Sequence, residues 1–230
     1  MGTSCTAWRR SRRLGRPSCL SKADGAHTDP GALVPLLPLL REQSYLSEVR
    51  IWAGETIDHD LDAFRQENVV CRNLVDCHAG ALGLGSNIKY EKWLSCSGAA
   101  APVGSGIVFS RSMANHGHPQ VMEWLYAALG NGASFVGGEN EWEAFSKEIG
   151  PMPFRKTKDL LELAQVLSSA RLFVGNQSCP LAIAEGLKRP ILQEVHHFTP
   201  NCIFYRQGFL PVWHPHQVAG AVDEAMRLIG

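Results

Sequence analysis

Ser178, Ala182 and Glu185 stand at i, i+4 and i+7, the spacing that puts three side chains on one helix face. The apolar run Leu172-Phe173-Val174 precedes them as a strand. It leads into Gly175-Asn176-Gln177, where glycine and asparagine tolerate a tight backbone turn. Pro180 suits the first turn of a helix, where its missing N–H would have no partner anyway. The free N–H groups and the positive dipole end of such a helix attract an anion. Ser178 could donate its hydroxyl to a phosphate, and Ala182 leaves room for a ligand along the helix. Glu185, about 10 Å further on at 1.5 Å per residue, could accept the hydroxyls of a ribose. That is the footprint of a nucleoside diphosphate. The plainer alternative makes Ser178 an N-cap and Glu185 a solvated helix residue.

Other side chains capable of chemistry belong to the same half of the chain. Ser110-Arg111-Ser112 ends one apolar run and Gly137-Gly138 another; both ends should face a ligand at the carboxyl edge of a parallel sheet. His116 and His118 follow the first of these ends and could reach phosphate or sugar, or remain surface loop residues. His196-His197 and the His214-Pro215-His216 run lack cysteine or carboxylate ligands at metal spacing, so no metal is expected. Cys179, at a helix start, should have a lowered pKa, but without a histidine partner it makes no catalytic thiol. Gly137-Gly138 is not a dinucleotide fingerprint, so NAD is not expected, nor any other cofactor.

Alternating strands and helices must position these groups. Strands are expected at 107–110, 134–136, 171–174 and 191–195, and helices at 119–129, 141–149, 158–170, 180–187 and 216–229. Strands separated by single helices imply a parallel sheet. Before them the pattern is weaker: a helix over 33–40 interrupted by Pro35 and Pro38, a strand at 48–53, the acidic run 56–65, a short strand near 69–71 and a helix at 73–82. The small, uncharged stretch 97–106 reads as a linker, giving three regions: an arm at 1–30 that is disordered or foreign to the fold, a partial domain at 31–96, and a complete domain at 104–230.

With 45% hydrophobic and 19% charged residues the chain can bury a core, and its zero net charge favours neither nucleic acid nor an anionic membrane. The longest apolar run, 31–40, holds two prolines and falls short of the roughly twenty residues that span a bilayer. Seven scattered cysteines without a CxxC pair point to free thiols in a reducing cytoplasm. Arginines at 9, 10, 12, 13 and 16, with no acid before Asp24, suit a transit peptide, a basic arm or an unrelated upstream stretch.

The blocks IVFSRS, FVGGENEWEAF and DLLELAQVLSSARLFVGNQSCPLAIAEGLKRPIL resemble the nucleotide-binding half of the heptosyltransferase-like glycosyltransferases, the ADP-heptose:lipopolysaccharide family. The resemblance covers about residues 104–200 and, more loosely, 31–95. It implies a GT-B-like α/β fold, with a Rossmann-like parallel sheet carrying helices on both faces in the C-terminal half and an incomplete α/β N-terminal half. It also implies transfer of a sugar from a nucleotide-diphosphate donor, itself the substrate, to a glycan or lipid-glycan acceptor. The donor would contact Ser110, Ser112, Gly137, Gly138, Asn176, Gln177, Ser178 and Glu185. Arg111 would serve as the cation for the departing diphosphate, and Asp58 or Asp60, with Asp62 beside them, as the base. The chain departs from the family's G-x-D-T-G-x-x-H turn: Gln177 replaces the aspartate, Cys179 the second glycine and Ala182 the histidine. The Gly-Asp loop that carries the family's usual base is not found before residue 31. These departures keep two alternatives open: a relative that binds without transferring, and another GT-B-shaped enzyme such as an epimerase or hydrolase.

Overall fold

The computed structural model describes residues 6–10, 17–21, 34–54, 56–67, 69, 72–98, 100–101 and 104–230. They divide into two compact units, 1–91 with 159–161, and 92–158 with 162–230. The boundary falls earlier than the expected linker, and hydrogen bonds explain why. Trp93 N and Leu94 N both donate to the Gly186 carbonyl at 3.2 and 3.0 Å, and Gln165 Nε2 donates to the Ser97 carbonyl at 2.8 Å. Leu94 is buried, so this stretch is fastened to the second unit.

In the first unit, β1 (Thr6–Arg10), β2 (Pro17–Ser21), β3 (Glu48–Ile51) and β4 (His59–Asp60) form a sheet in the order β3-β2-β1-β4. The β2–β3 pair is parallel, and β1 runs antiparallel to β2 and β4. Two segments of the arginine-rich start are therefore strands, and the rest of 1–30 lies outside the described residues. Helix α1 (Leu37–Arg41) is shorter than expected and accepts Pro38 in its first turn. Helix α2 (Leu74–Ala81) starts at Asn73, whose side chain accepts from Val75 N at 2.9 Å. Of the strand expected near 69–71, Val69 lies in a turn, and 70 and 71 fall outside the described residues.

The second unit is a five-stranded, wholly parallel sheet: β5 (Ile107–Ser110), β6 (Ser134–Phe135), β7 (Leu172–Asn176), β8 (Ile191–Glu194) and β9 (Phe209–Val212), in the order β6-β5-β7-β8-β9. Every residue of β5, β7 and β8 is buried, which is why these strands read as continuous apolar runs. Helices α3 (Pro119–Leu129), α4 (Glu139–Glu148), α5 (Leu160–Ser169), α6 (Cys179–Gly186) and α7 (Val218–Ile229) complete it. Val121, Met122, Leu125 and Leu129 of α3, Phe145 of α4, and Val218 and Ala225 of α7 join one core with Ile107, Phe109, Leu172, Val174 and Leu192. Side chains alternate along a strand, so Val108, Phe173 and Ile191 face the other side, where α6 covers β7 and β8. The chain starts at β5, moves out to β6, then crosses back to β7 and on to β9. The order thus reverses between β5 and β7, the place where open parallel sheets bind ligands at their carboxyl ends. The unexpected strand is β9: Pro211 disguises it, and an edge position tolerates proline.

Candidate functional site

Three strand ends meet at this reversal. Ser110 of β5 is in register with Gly175 of β7, and Gly175 with Gln193 of β8. A methyl group on Gly175 would come within 2.4 Å of the Ser110 carbonyl oxygen, so only glycine lets the two strands end side by side. Ser110 Oγ and Gln193 Oε1 are buried there without a hydrogen-bond partner among the described residues. Beyond Ser110 the loop 111–118 carries the chain into α3, and side chains from β7 and β8 hold it in place. Asn176, fully buried, accepts from Ser112 N at 2.9 Å and donates to the Ala114 carbonyl at 2.6 Å.

Glu194, the last residue of β8, fixes both ends of the same loop. Its carboxylate takes a two-pronged contact from Arg111, Nε to Oε2 and Nη2 to Oε1, each 2.9 Å. It also accepts from Gly117 N at 3.0 Å. Glu194 is 0% and Arg111 7% exposed, so this is a buried ion pair. Arg111 therefore sits at the strand end, with its charge already matched by a carboxylate of the protein. His116 donates from Nε2 to the Ser112 carbonyl at 2.6 Å and lines a shallow cleft with Arg111, Ser112, Glu141 and Glu148.

The second loop supplies Gly137 and Gly138. Gly137 has φ +138°, and a methyl group there would approach Glu141 Oε2 to 2.7 Å and Ser110 Oγ to 3.5 Å. Glu141 Oε2 caps α4 by accepting from Gly138 N at 2.8 Å; its Oε1 accepts no bond among the described residues. From the third loop, Ser178 is the N-cap of α6, as its position ahead of Pro180 implied. Its Oγ accepts from Leu181 N at 3.4 Å and donates to the Asn176 carbonyl at 3.0 Å. Gln177 Nε2 donates to Asn201 Oδ1 at 3.0 Å, which ties this turn to the long loop between β8 and β9. The Cys179 thiol is pushed up to about 11, by desolvation first and by the Glu141 carboxylate second, the reverse of the lowering expected at a helix start. The residue keeps an exposed face, and the direction alone makes it a poor nucleophile.

The structure thus gathers Ser110, Arg111, Ser112, Gly137, Gly138, Asn176, Gln177 and Ser178 at one edge. Glu185 lies apart from them. Only 1% exposed, it is held by Arg206 (Nη2 to Oε2 2.7 Å, Nε to Oε2 2.9 Å) and by Lys188, so its oxygens face cations of the protein instead of a ribose. Arg206 also donates to the Arg189 carbonyl at 2.8 Å, fastening the root of the β8–β9 loop behind α6. That loop carries Phe198 and Tyr205, both widely exposed. Asp58 and Asp60 belong to the first unit, where Asp60 Oδ1 caps the 3₁₀ turn 61–66 by accepting from Asp62 N at 2.9 Å.

Four histidines gather at a further place on this unit. His214 Nδ1 and His216 Nδ1 are 2.8 Å apart, and the His118 ring lies 5.2 Å from that of His214. His118 Nδ1 accepts from Gln120 N at 3.3 Å as the N-cap of α3. The His214 pKa is lowered, by desolvation and then by His216, His118 and His197. Among the described residues no group of three or more His, Cys, Asp or Glu side chains is gathered to hold a metal ion. Among them, too, no helix is long and apolar enough to cross a membrane.

The sequence reasoning missed Glu141, Glu194 and Arg206. A carboxylate three residues into a helix is a capping signal, and a glutamate closing an apolar strand signals a buried pair. Arg206 gives no local signal.

No protein-family model and no curated protein matches the chain. Solved structures do. The dodecameric iron-containing heptosyltransferase TibC, in complex with ADP-D-β-D-heptose, superposes with a TM-score of 0.52 at 12% identity, over 82% of this chain and 66% of that one. The family 9 glycosyl transferase of Veillonella parvula gives 0.45 at 12% identity, over 79% and 56%. The Escherichia coli heptosyltransferase WaaC, with ADP-2-deoxy-2-fluoro heptose, gives 0.41 at 14%, over 80% and 59%. The chain therefore spans between 56% and 66% of these proteins. The α/β fold with a parallel sheet, expected from the resemblance to heptosyltransferases, is the fold found, and TibC shares it.

Proposed function

We propose that the second unit binds the nucleoside diphosphate of a sugar donor at the carboxyl edge of its sheet, and that the chain serves transfer of that sugar to a glycan or lipid-glycan acceptor. The observation that carries the reading is the meeting of the loops after β5, β6 and β7 at the reversal of strand order. The fold shared with TibC, which holds ADP-D-β-D-heptose, supports the same class of donor. In this reading the phosphates lie between the loop from Ser112 to Gly117 and the start of α6 at Ser178, within reach of the outer edge of Arg111. Ser110, Gly137 and Gly138 shape the floor, and Asn176 and Gln177 hold the loops. Glu141, with an oxygen to spare, takes the ribose hydroxyls in place of the sequestered Glu185.

Calorimetry with ADP, UDP and GDP tests the site. Loss of a hydrogen bond to a charged group costs about 1.5–3 kcal/mol, so Glu141→Gln should weaken binding by roughly ten- to a hundredfold. The absence of any nucleotide binding sinks the proposal. A second reading, binding without transfer, is favoured by Gln177: its amide is tied to Asn201 where the family's turn carries a carboxylate. Donor binding without turnover in a transfer assay would decide for it.

A further inference from the structure

Glu148 ends α4, where the helix dipole is negative and a carboxylate is disfavoured. The helix itself gives no reason for this residue; Arg111 does. Glu148 Oε2 lies 3.6 Å from Arg111 Nη1, too far for a hydrogen bond but within the range of an ion pair. Glu194 occupies Nε and one N–H of Nη2, so the two N–H groups of Nη1 and the second of Nη2 make no hydrogen bond among the described residues. Arg111 is 7% exposed, and this edge opens into the cleft lined by Ser112, His116, Glu141 and Glu148. The Arg111 charge is matched by Glu194, but the unfilled N–H donors of this edge keep the fork geometry that suits an anion such as a phosphate. Glu148, 56% exposed, occupies that direction loosely and is free to swing into water.

We infer that Glu148 is a built-in competitor: its carboxylate holds the place of a phosphate on the outer edge of Arg111 and is displaced when a diphosphate binds, so it sets the affinity of the cleft for anions. This deepens the donor-binding reading and rests on it for the identity of the natural ligand. It differs from a merely structural role in sign, because removing the charge should strengthen binding. Binding must break the loose 3.6 Å contact of a half-exposed carboxylate, and without that carboxylate a diphosphate also escapes its repulsion, so Glu148→Gln should bind about three- to tenfold tighter. The gain should shrink as sodium chloride is raised.

The test is calorimetric titration of the full chain, its Glu148→Gln form and its Glu143→Gln form with inorganic pyrophosphate and, separately, ADP. Glu143 is an exposed glutamate of the same helix outside the cleft lining, and its replacement should change nothing. Tighter pyrophosphate binding by Glu148→Gln alone supports the inference, including the case in which only the variant binds. Equal or weaker binding by Glu148→Gln, or no pyrophosphate binding by any form, overturns it. If pyrophosphate binding responds and ADP does not bind, the competitor stands and the nucleotide reading falls. If ADP binds the wild-type chain and Glu148→Gln leaves that affinity unchanged, the nucleotide reading stands and the competitor falls.

Discussion

Replacing Glu194 by alanine should be among the most damaging single changes in the second unit, and the cost can be worked from its contacts. The carboxylate is fully buried and answers both the Arg111 guanidinium and Gly117 N. Without it a guanidinium that is 7% exposed keeps its charge and is left with only the looser Glu148 carboxylate at 3.6 Å. Breaking a buried pair in this way costs about 3–5 kcal/mol, a large part of the 5–15 kcal/mol that holds a typical domain folded. Glutamine in the same place retains an acceptor for Gly117 N but not the charge, so it should cost less, about 1.5–3 kcal/mol. Urea denaturation followed by far-ultraviolet circular dichroism reads both values as shifts of the midpoint at unchanged slope. The decisive companion is the double replacement Arg111→Met with Glu194→Leu, which removes both charges together. It should recover most of the loss, ending within roughly 1–2 kcal/mol of the wild-type chain, because burying the pair already consumes much of its attraction in desolvation. An alanine cost below about 1 kcal/mol would refute the reasoning, as would a double variant no better than the single one.

The lowered His214 pKa predicts an acid-linked loss of stability in the second unit. The folded state holds the His214 pKa down, so His214 contributes stability that is present above the unfolded value of about 6.5 and lost as pH falls below it. The thermal midpoint should thus fall between pH 7.5 and 5.5, and His214→Gln should remove part of that fall; an unchanged pH dependence refutes the role. Cys179, pushed up to about 11, should react with iodoacetamide far more slowly at pH 8 than an ordinary thiol, with the rate still climbing above pH 9; fast labelling at pH 8 counts against the assignment.

What the sequence revealed and concealed follows from the range of the interactions. The βα order of the second unit and the cap at Ser178 rest on periodicity, proline placement and hydroxyl capping, all contained within a few residues. Spacing put Glu185 on the helix face of Ser178, yet its partner Arg206 is 21 residues away and no local pattern announces it. Arg111 and Glu194 are 83 residues apart; what joins them is the crossover from β5 to β7 and β8, a property of topology. Strand β9 was concealed for a different reason. Its proline contradicts strand chemistry everywhere except at an edge, and the edge is known only once the sheet is assembled.

The Arg206 fastening also divides the β8–β9 loop into a part that can vary and a part that cannot. The His196–Thr199 and Gln177–Asn201 contacts, the buried Ile203 and the anchored arginine pin the loop, while Phe198 and Tyr205 point outward. Doubling the length of a flexible loop costs only about 0.6 kcal/mol of closure entropy. The exposed tip at Phe198 can therefore be exchanged or lengthened while Arg206 and Glu185 stay fixed, like the interchangeable head of a tool whose shank remains locked in the handle.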